Sequence, residues 1–279
     1  MSGGILELAF RHNTKRALGF ELFKLSELWA RIDALPTILT PKRLDFHVAY
    51  VGIRGKGEML VDFAPVPIGA GKLVVCARGR IQEYRPSAKV DAWMLMFTPD
   101  FLRDRLRVLS PAWAMPVVAT PADGLAWCDQ MAAEHARPED AQQAPLLASL
   151  LRALLLQAER SLPVDLDADP ALERFFTILE RDCLATRGVA HYAREAGISP
   201  RRLGELVSAK TGRSTKQVID ERVVLEHKRL LAHTTLSVKE LAEHTGFAEP
   251  TNLVKFFRHH TGTTPAAFRS TFVSSHRRS

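Results

Sequence analysis

Between residues 189 and 262 the chain writes one pattern twice, and this repetition constrains its fold more than any other feature. Val189, Tyr192, Ala193 and Ala196 recur as Val238, Leu241, Ala242 and Thr245, at the i, i+3, i+4, i+7 spacing of a helix with one buried face. Each copy then meets a glycine, Gly197 or Gly246, where a chain leaving a helix commonly needs a left-handed residue, and an apolar residue, Ile198 or Phe247, anchors the turn. A second helix follows in both. Leu203, Leu206 and Val207 correspond to Leu253, Phe256 and Phe257, and Thr211-Gly212 and Thr261-Gly262 close the two units. The register is 49 residues before the turn and 50 after it, so the second turn is longer by one residue. Ser237 with Glu240 spells a capping box, and Thr264-Pro265 reads as a cap plus a first-turn proline for a last short helix.

Two helices joined by a short glycine-containing turn, with a small alanine where they cross, are the sequence form of a helix-turn-helix. A single copy fits an ordinary helical hairpin better; two copies at one spacing, in the basic half, favour the DNA-binding form. The second helices expose Arg201, Arg202, Gly204, Glu205 and Ser208 in the first unit and Thr251, Asn252, Lys255, Arg258 and His259 in the second. Arginine pairs with guanine, asparagine with adenine, glutamate accepts from cytosine, and threonine offers a hydroxyl and a methyl to thymine. Ser199, Lys210, Arg213, Lys216, Lys239 and Arg258 suit phosphate, a role that anchors without selecting sequence. For any one of these cations a solvated ion pair is the ordinary alternative. Val218 to Leu231 predicts one long helix between the units, whose Val218, Ile219, Val223, Val224, Leu230 and Leu231 pack on both. Holding the reading helices about one DNA turn apart, ~34 Å, would let both enter one side of a duplex.

Charge sits in the same half. The chain carries 38 Lys+Arg against 31 Asp+Glu; residues 171–279 hold 18 against 11, so the whole excess of +7 lies there. Such asymmetry suits a nucleic acid, a membrane surface or an acidic protein.

The first half predicts strands. Leu44, Phe46, Val48 and Tyr50 alternate with Asp45, His47 and Ala49, the period of a strand with one buried face, and Arg54-Gly55-Lys56-Gly57 reads as a hairpin turn. Met59, Val61 and Phe63 alternate again before a break at Pro65, Pro67, Gly69 and Gly71. Leu73 to Cys76 and Ala92 to Phe97 are continuous apolar runs, suited to strands covered on both faces of a small barrel or sandwich. Two helical stretches come next. In the second, Pro145 to Ser161, Leu146, Leu147, Leu150, Leu151, Leu154 and Leu155 form a stripe that either packs on the preceding helix around Trp127 and Met131 or forms a homodimer seam. Leu162 to Pro170, with two prolines and three acids, marks a boundary, giving domains at 1–162 and 171–279 with a linker at 163–170. Cys76, Cys128 and Cys183 lack any CxxC spacing, no apolar run reaches the length of a membrane span, and the start shows no export pattern, so a cytoplasmic protein without a membrane partner is expected.

The run SVKELAEHTGFAEPTNLVKFFRHHTGTTPAAFR, Ser237 to Arg269, resembles the signature of the AraC/XylS family of transcription regulators, above all in Gly246-Phe247, Asn252, Phe256-Phe257, Gly262, Thr264-Pro265 and Phe268-Arg269. DERVVLEHKRLLAHT resembles the family's linker helix, with His227 where alanine is usual, and the likeness extends back to about Val189. The resemblance implies a double-stranded DNA operator as partner, and base contacts from Arg201, Arg202 and Glu205 and from Pro250, Thr251, Asn252 and Lys255. The first half is similar to the family's cupin-like sensor domain in LDFHVAYVGIRGKGEMLVDF, PIGAGKLVVCARGRIQEY and WMLMFTPDFL. This implies a two-domain α+β chain: a cupin-like β-barrel with a helical dimerisation segment, then an all-α domain of two helix-turn-helix units joined by a linker helix. It also implies a homodimer, a small-molecule effector and, for an activator, RNA polymerase as a partner. Strand position nominates Phe46, Val48, Tyr50 and Gln82 for the effector. The alternatives are a regulator whose first domain only dimerises or docks a protein, a metal-dependent cupin enzyme, and a fusion to a zinc-bound alkyl acceptor. His47 as the sole histidine in the expected barrel strands and the scattered cysteines argue against the last two, so no cofactor, metal or catalytic residue is expected.

Overall fold

The apolar runs of the first half become strands buried on both faces. The computed structural model describes residues 6–8, 10, 18–30, 41–84, 90–102, 106, 109, 116–160 and 169–275. The chain divides into two compact units, the break falling between Val164 and Asp165. Most of the expected linker and the extreme N-terminus lie outside the described residues.

In the first unit the elements run β1 (Leu6–Leu8), β2 (Phe20–Lys24), α1 (Leu25–Trp29), β3 (Lys42–Leu44), β4 (His47–Arg54), β5 (Lys56–Val61), β6 (Ala64–Gly69), β7 (Leu73–Cys76), β8 (Ile81–Tyr84), β9 (Asp91–Phe97), α2 (Pro99–Leu102), β10 (Val117–Ala119), α3 (Gly124–His135) and α4 (Gln143–Arg160). They form two five-stranded sheets, in the orders β1-β3-β8-β5-β6 and β10-β7-β4-β9-β2. Among the described residues the sheets stay open, so the architecture is two sheets rather than a closed barrel.

β4 shows why. His47 through Gly52 are all buried, not alternately so. Val48 and Tyr50 face a cluster shared with Met59, Val61 and Tyr84 of the other sheet. Ala49 and Val51 face a second cluster containing Cys128 and Met131 of α3 and Leu147, Leu151, Leu154 and Leu155 of α4. The second sheet is therefore a middle layer, which explains the unbroken apolar runs of β7 and β9. Packing of α4 on α3 also accounts for most of the leucine stripe; Leu150 is part-buried, and Leu146 at 44% and Leu156 at 40% exposure lie outside it.

Two local expectations fail. β4 pairs with β7 and β9, while β5 pairs with β6 and β8, so Arg54-Gly55-Lys56 is a corner between sheets and not a hairpin turn. Gly52 lies at this corner because a β-carbon there would stand 1.8 Å from the Gly69 carbonyl oxygen. The expected break at Pro65 and Pro67 is instead strand β6, which lies at a sheet edge where proline removes no ladder bond. Its hairpin with β5 turns at Asp62-Phe63, both at positive φ (49° and 70°), the two-residue turn that matches strand twist. Asp62 tolerates this because its carboxylate accepts the Ile81 N–H and pairs with Arg80 at 2.9 Å.

The second unit is helical: α5 (Pro170–Asp182), α6 (Val189–Ala196), α7 (Pro200–Thr211), α8 (Thr215–His233), α9 (Val238–His244), α10 (Pro250–Thr261) and α11 (Pro265–Ser275). Boundaries follow the expected chemistry. Gly197, Gly212, Gly246 and Gly262 all take positive φ, and Ser237 and Glu240 close a capping box. The Thr264 hydroxyl accepts the Ala267 N–H at the start of α11. α8 runs longer than Val218 to Leu231 because Ser214 and Gln217 cap it in a box of their own.

Candidate nucleic-acid interface

The linker helix α8 contacts α6 and α7 of the first helix pair and α10 of the second, together with α11. In the first pair Phe175 and Tyr192 meet edge to face at 5.8 Å, above buried Ala193, Ala196, Leu203 and Val207. In the second, Leu231, Leu241, Ala242, Phe247, Leu253 and Phe257 form one cluster. Charged groups lock this frame. Arg222 donates to both carboxylate oxygens of Glu180 on α5 at 2.9 Å, and with Arg229 it shares Glu226 at 3.0 Å. Arg269 donates to the carbonyls of Leu231 and Leu236, closing the end of α8, and Arg174 does the same for Ala196 at the end of α6. Sequence reasoning missed these four arginines as structural groups, since nothing in a linear pattern separates them from phosphate contacts.

Helices α7 and α10 match residue by residue. Burial along 201–210 repeats along 251–260 without exception: Leu203 and Leu253 buried, Val207 and Phe257 buried, Leu206 and Phe256 half-buried. Arg201, Arg202 and Glu205 are exposed on α7, and Thr251, Asn252 and Lys255 occupy the same positions on α10. Pro250 is half-buried at the first turn of α10.

Their electrostatics differ. Arg201 bonds Glu205 at 3.2 Å, and Arg202 reaches both Glu205 at 3.8 Å and Asp169 at 3.1 Å. Asp169 also caps α5 by accepting the Ala171 N–H at 2.9 Å, and that bond with Arg202 holds its carboxyl below the usual range. On α10 Thr251 and Asn252 are uncharged, and among the described residues no ion pair is recorded for Lys255. Of the remaining cations, Arg213 pairs with Glu221 and Lys216 with Asp220; Lys210, Lys239 and Arg258 are exposed on their helices. Ser199 is the N-cap of α7, its oxygen accepting the Arg202 N–H at 3.2 Å; its own hydroxyl proton stays available to an acceptor.

His227, the departure in the linker helix, is fully buried among Phe247, Phe256 and Phe257, with neither ring nitrogen hydrogen-bonded. Burial, reinforced by Arg187, pushes its pKa down to about 4, so the ring is neutral. Arg187 stacks on Phe247 at 4.0 Å and closes this cluster from outside.

Residues 192–271 match the family model described as a helix-turn-helix domain. That match makes residues 192–271 a helix-turn-helix domain of the AraC type and supports a DNA-binding transcription regulator. No curated protein matches the sequence. Among solved structures, ToxT from Vibrio cholerae with a bound unsaturated fatty acid is similar at 14% identity over 81% of this chain and 87% of its own, with a TM-score of 0.44. A transcriptional regulator from Chromobacterium violaceum with an AraC-type DNA-binding domain is 20% identical over 39% and 96%, at 0.36. The DNA-binding domain of AdpA in complex with a target DNA is 29% identical over 40% and 100%, also at 0.36. All three superpose loosely.

In the first unit Phe46, Val48 and Tyr50 join one buried cluster, and the Tyr50 hydroxyl donates to Gln82 at 2.6 Å, so the four sequence nominees come together. Tyr84, Trp29 and Lys42 complete that neighbourhood and were not foreseen, because they reach it from separate elements. His47 stacks on Phe97 at 5.3 Å and accepts the Arg78 N–H, a packed ring. Among the described residues no three His, Cys, Asp or Glu side chains are placed to hold a metal, and no helix is long and apolar enough to cross a membrane.

Proposed function

We propose that this regulator binds a bipartite operator by inserting α7 and α10 into successive major-groove segments of one duplex. Arg201, Arg202 and Glu205 read the first segment, and Pro250, Thr251, Asn252 and Lys255 the second. Ser199, Lys210, Arg213, Lys216, Lys239 and Arg258 hold phosphate. The observation that carries this is the identical burial of α7 and α10, which turns the same positions of each toward solvent while both contact one linker helix. Residues 1–162 act as sensor and dimerisation domain, 163–170 as linker and 171–279 as the reading domain. In the first domain, a cupin-like sensor, a small molecule binds beside Phe46, Val48, Tyr50 and Gln82, and two copies pair through α4, whose Leu146 and Leu156 are exposed. RNA polymerase is the further partner if the protein activates. Three free, buried cysteines suit the reducing cytoplasm.

Selection of bound duplexes from a random pool tests this reading. Enrichment of two short boxes about one helical turn apart is expected; recovery of unenriched DNA at physiological salt contradicts it.

A further inference from the structure

We infer that Arg187, on the loop between α5 and α6, is a positioning residue that sets the twist of the second helix pair against the first, and with it the spacing of operator boxes the protein accepts. This rests on the bipartite reading above and names what fixes the register between its two halves.

Both pairs pack on α8. A body packed on one helix can still rock about that helix, and a second contact away from the helix axis removes this freedom. Arg187 supplies such a contact. Its loop is anchored to the first pair: the Tyr192 hydroxyl of α6 donates to the Thr186 carbonyl at 2.7 Å, the Thr186 hydroxyl oxygen accepts the Gly188 N–H at 3.2 Å, and Cys183 at the start of the loop is buried. From there the guanidinium crosses to the second pair. It lies 4.0 Å from the Phe247 ring centre and 5.1 Å from that of Phe256, both inside the ~6 Å reach of a cation–π contact. Phe247 stands in the turn between α9 and α10 and Phe256 on α10 itself, and the two rings meet at 5.3 Å, so one side chain grips turn and helix together.

Two neighbours make the grip specific. The Leu184 carbonyl, on the same loop, comes so close to the turn that a β-carbon on Gly246 would stand 3.3 Å from it. From α8 the His227 ring meets the same two phenylalanines at 5.5 and 6.0 Å, and being neutral it sets no charge against the guanidinium. Arg222 and Arg229 face carboxylates, whereas Arg187 faces rings, on which a flat guanidinium stacks and an ammonium does not.

The test uses the full-length protein and a selected operator with one base pair added between its boxes, which moves them ~3.4 Å apart and turns one by about 35°. By fluorescence anisotropy the parent should lose roughly tenfold in affinity on the lengthened operator. Arg187→Ala should lose no more than about threefold, while binding each isolated box as the parent does. Arg187→Lys, which keeps a cation but not the flat face, should fall between them. Without DNA, spin labels on Ser208→Cys and His259→Cys, at exposed positions of α7 and α10, should report one narrow distance in protein diluted with unlabelled chains, and a broader one after Arg187→Ala; the three native cysteines are buried and escape labelling. If Arg187→Ala loses as much as the parent to the added base pair, or leaves the label distance unchanged, the positioning role is overturned and the bipartite reading stands. An equal loss on isolated boxes and random duplexes means that Arg187 contacts phosphate or merely holds the fold, and also overturns it. A parent indifferent to box spacing overturns the bipartite reading, and this proposal with it.

Discussion

Arg202 reaches two acids while the matching Asn252 carries no charge, and this difference predicts how the two helices behave on DNA. To reach a guanine, Arg202 must leave Asp169. Exposed pairs contribute only ~0–1 kcal/mol, so the penalty is small but measurable as affinity. Asp169→Asn keeps an N-cap for α5 and removes the anion; fluorescence anisotropy should show DNA binding a few fold tighter, whereas Asp169→Ala also loses the cap and lowers the stability of the second unit. Arg201→Ala or Asn252→Ala should cost about 1–3 kcal/mol on the preferred site and relax base choice, while Lys239→Ala should weaken specific and random duplexes alike and lower the salt slope by about one. Equal losses for both classes of substitution would sink these roles. His227 makes a separate prediction. Its pKa falls from 6.5 to about 4 in the folded chain, so between those values the unfolded chain takes a proton the folded form refuses. Stability therefore falls as pH drops from about 6.5 to about 4. His47, also held near 4, adds the same trend in the first unit. His227→Leu should flatten the acid limb of denaturation of the second unit; an unchanged limb would mean the ring finds a partner. The exposed reading positions were legible in sequence because helical period alone sorts them. The Asp169–Arg202 pair spans 33 residues and the isolation of His227 depends on three phenylalanines, so neither had a local signal.

At the scale of elements, glycine shows where conformation outranks side chain. Gly197 and Gly246 both end helices at positive φ, but a β-carbon on Gly246 would also stand 3.3 Å from the Leu184 carbonyl, against 3.9 Å to the flexible Arg174 side chain at Gly197. Alanine at either costs about 1–2 kcal/mol for the left-handed backbone. Gly246→Ala should be the worse of the two in urea denaturation; equal losses would show that the carbonyl contact is relieved by a small shift. The helical repeat was readable because its glycines, caps and apolar spacing all agree. The sheets were less so. Whether β4 continues into β5 as a hairpin or turns a corner is decided by Gly52 meeting Gly69, a contact no short window contains. β6 was hidden by prolines that only an edge strand accepts, and its turn by Asp62-Phe63, where positive φ falls on residues other than glycine or asparagine.

At the scale of the molecule, each unit has its own buried core, and α4 shows apolar residues that its own core does not cover. Leu146→Glu with Leu156→Glu should convert a dimer to a monomer in light scattering without lowering the melting temperature; a monomeric parent would remove α4 as the seam. The central claim, however, is that one rigid helix, α8, fixes two matched readers at a set distance. Inserting five base pairs between the two boxes of a selected operator turns them to opposite sides of the duplex. The account predicts that affinity then drops to that of a single box; full affinity after the insertion would contradict it.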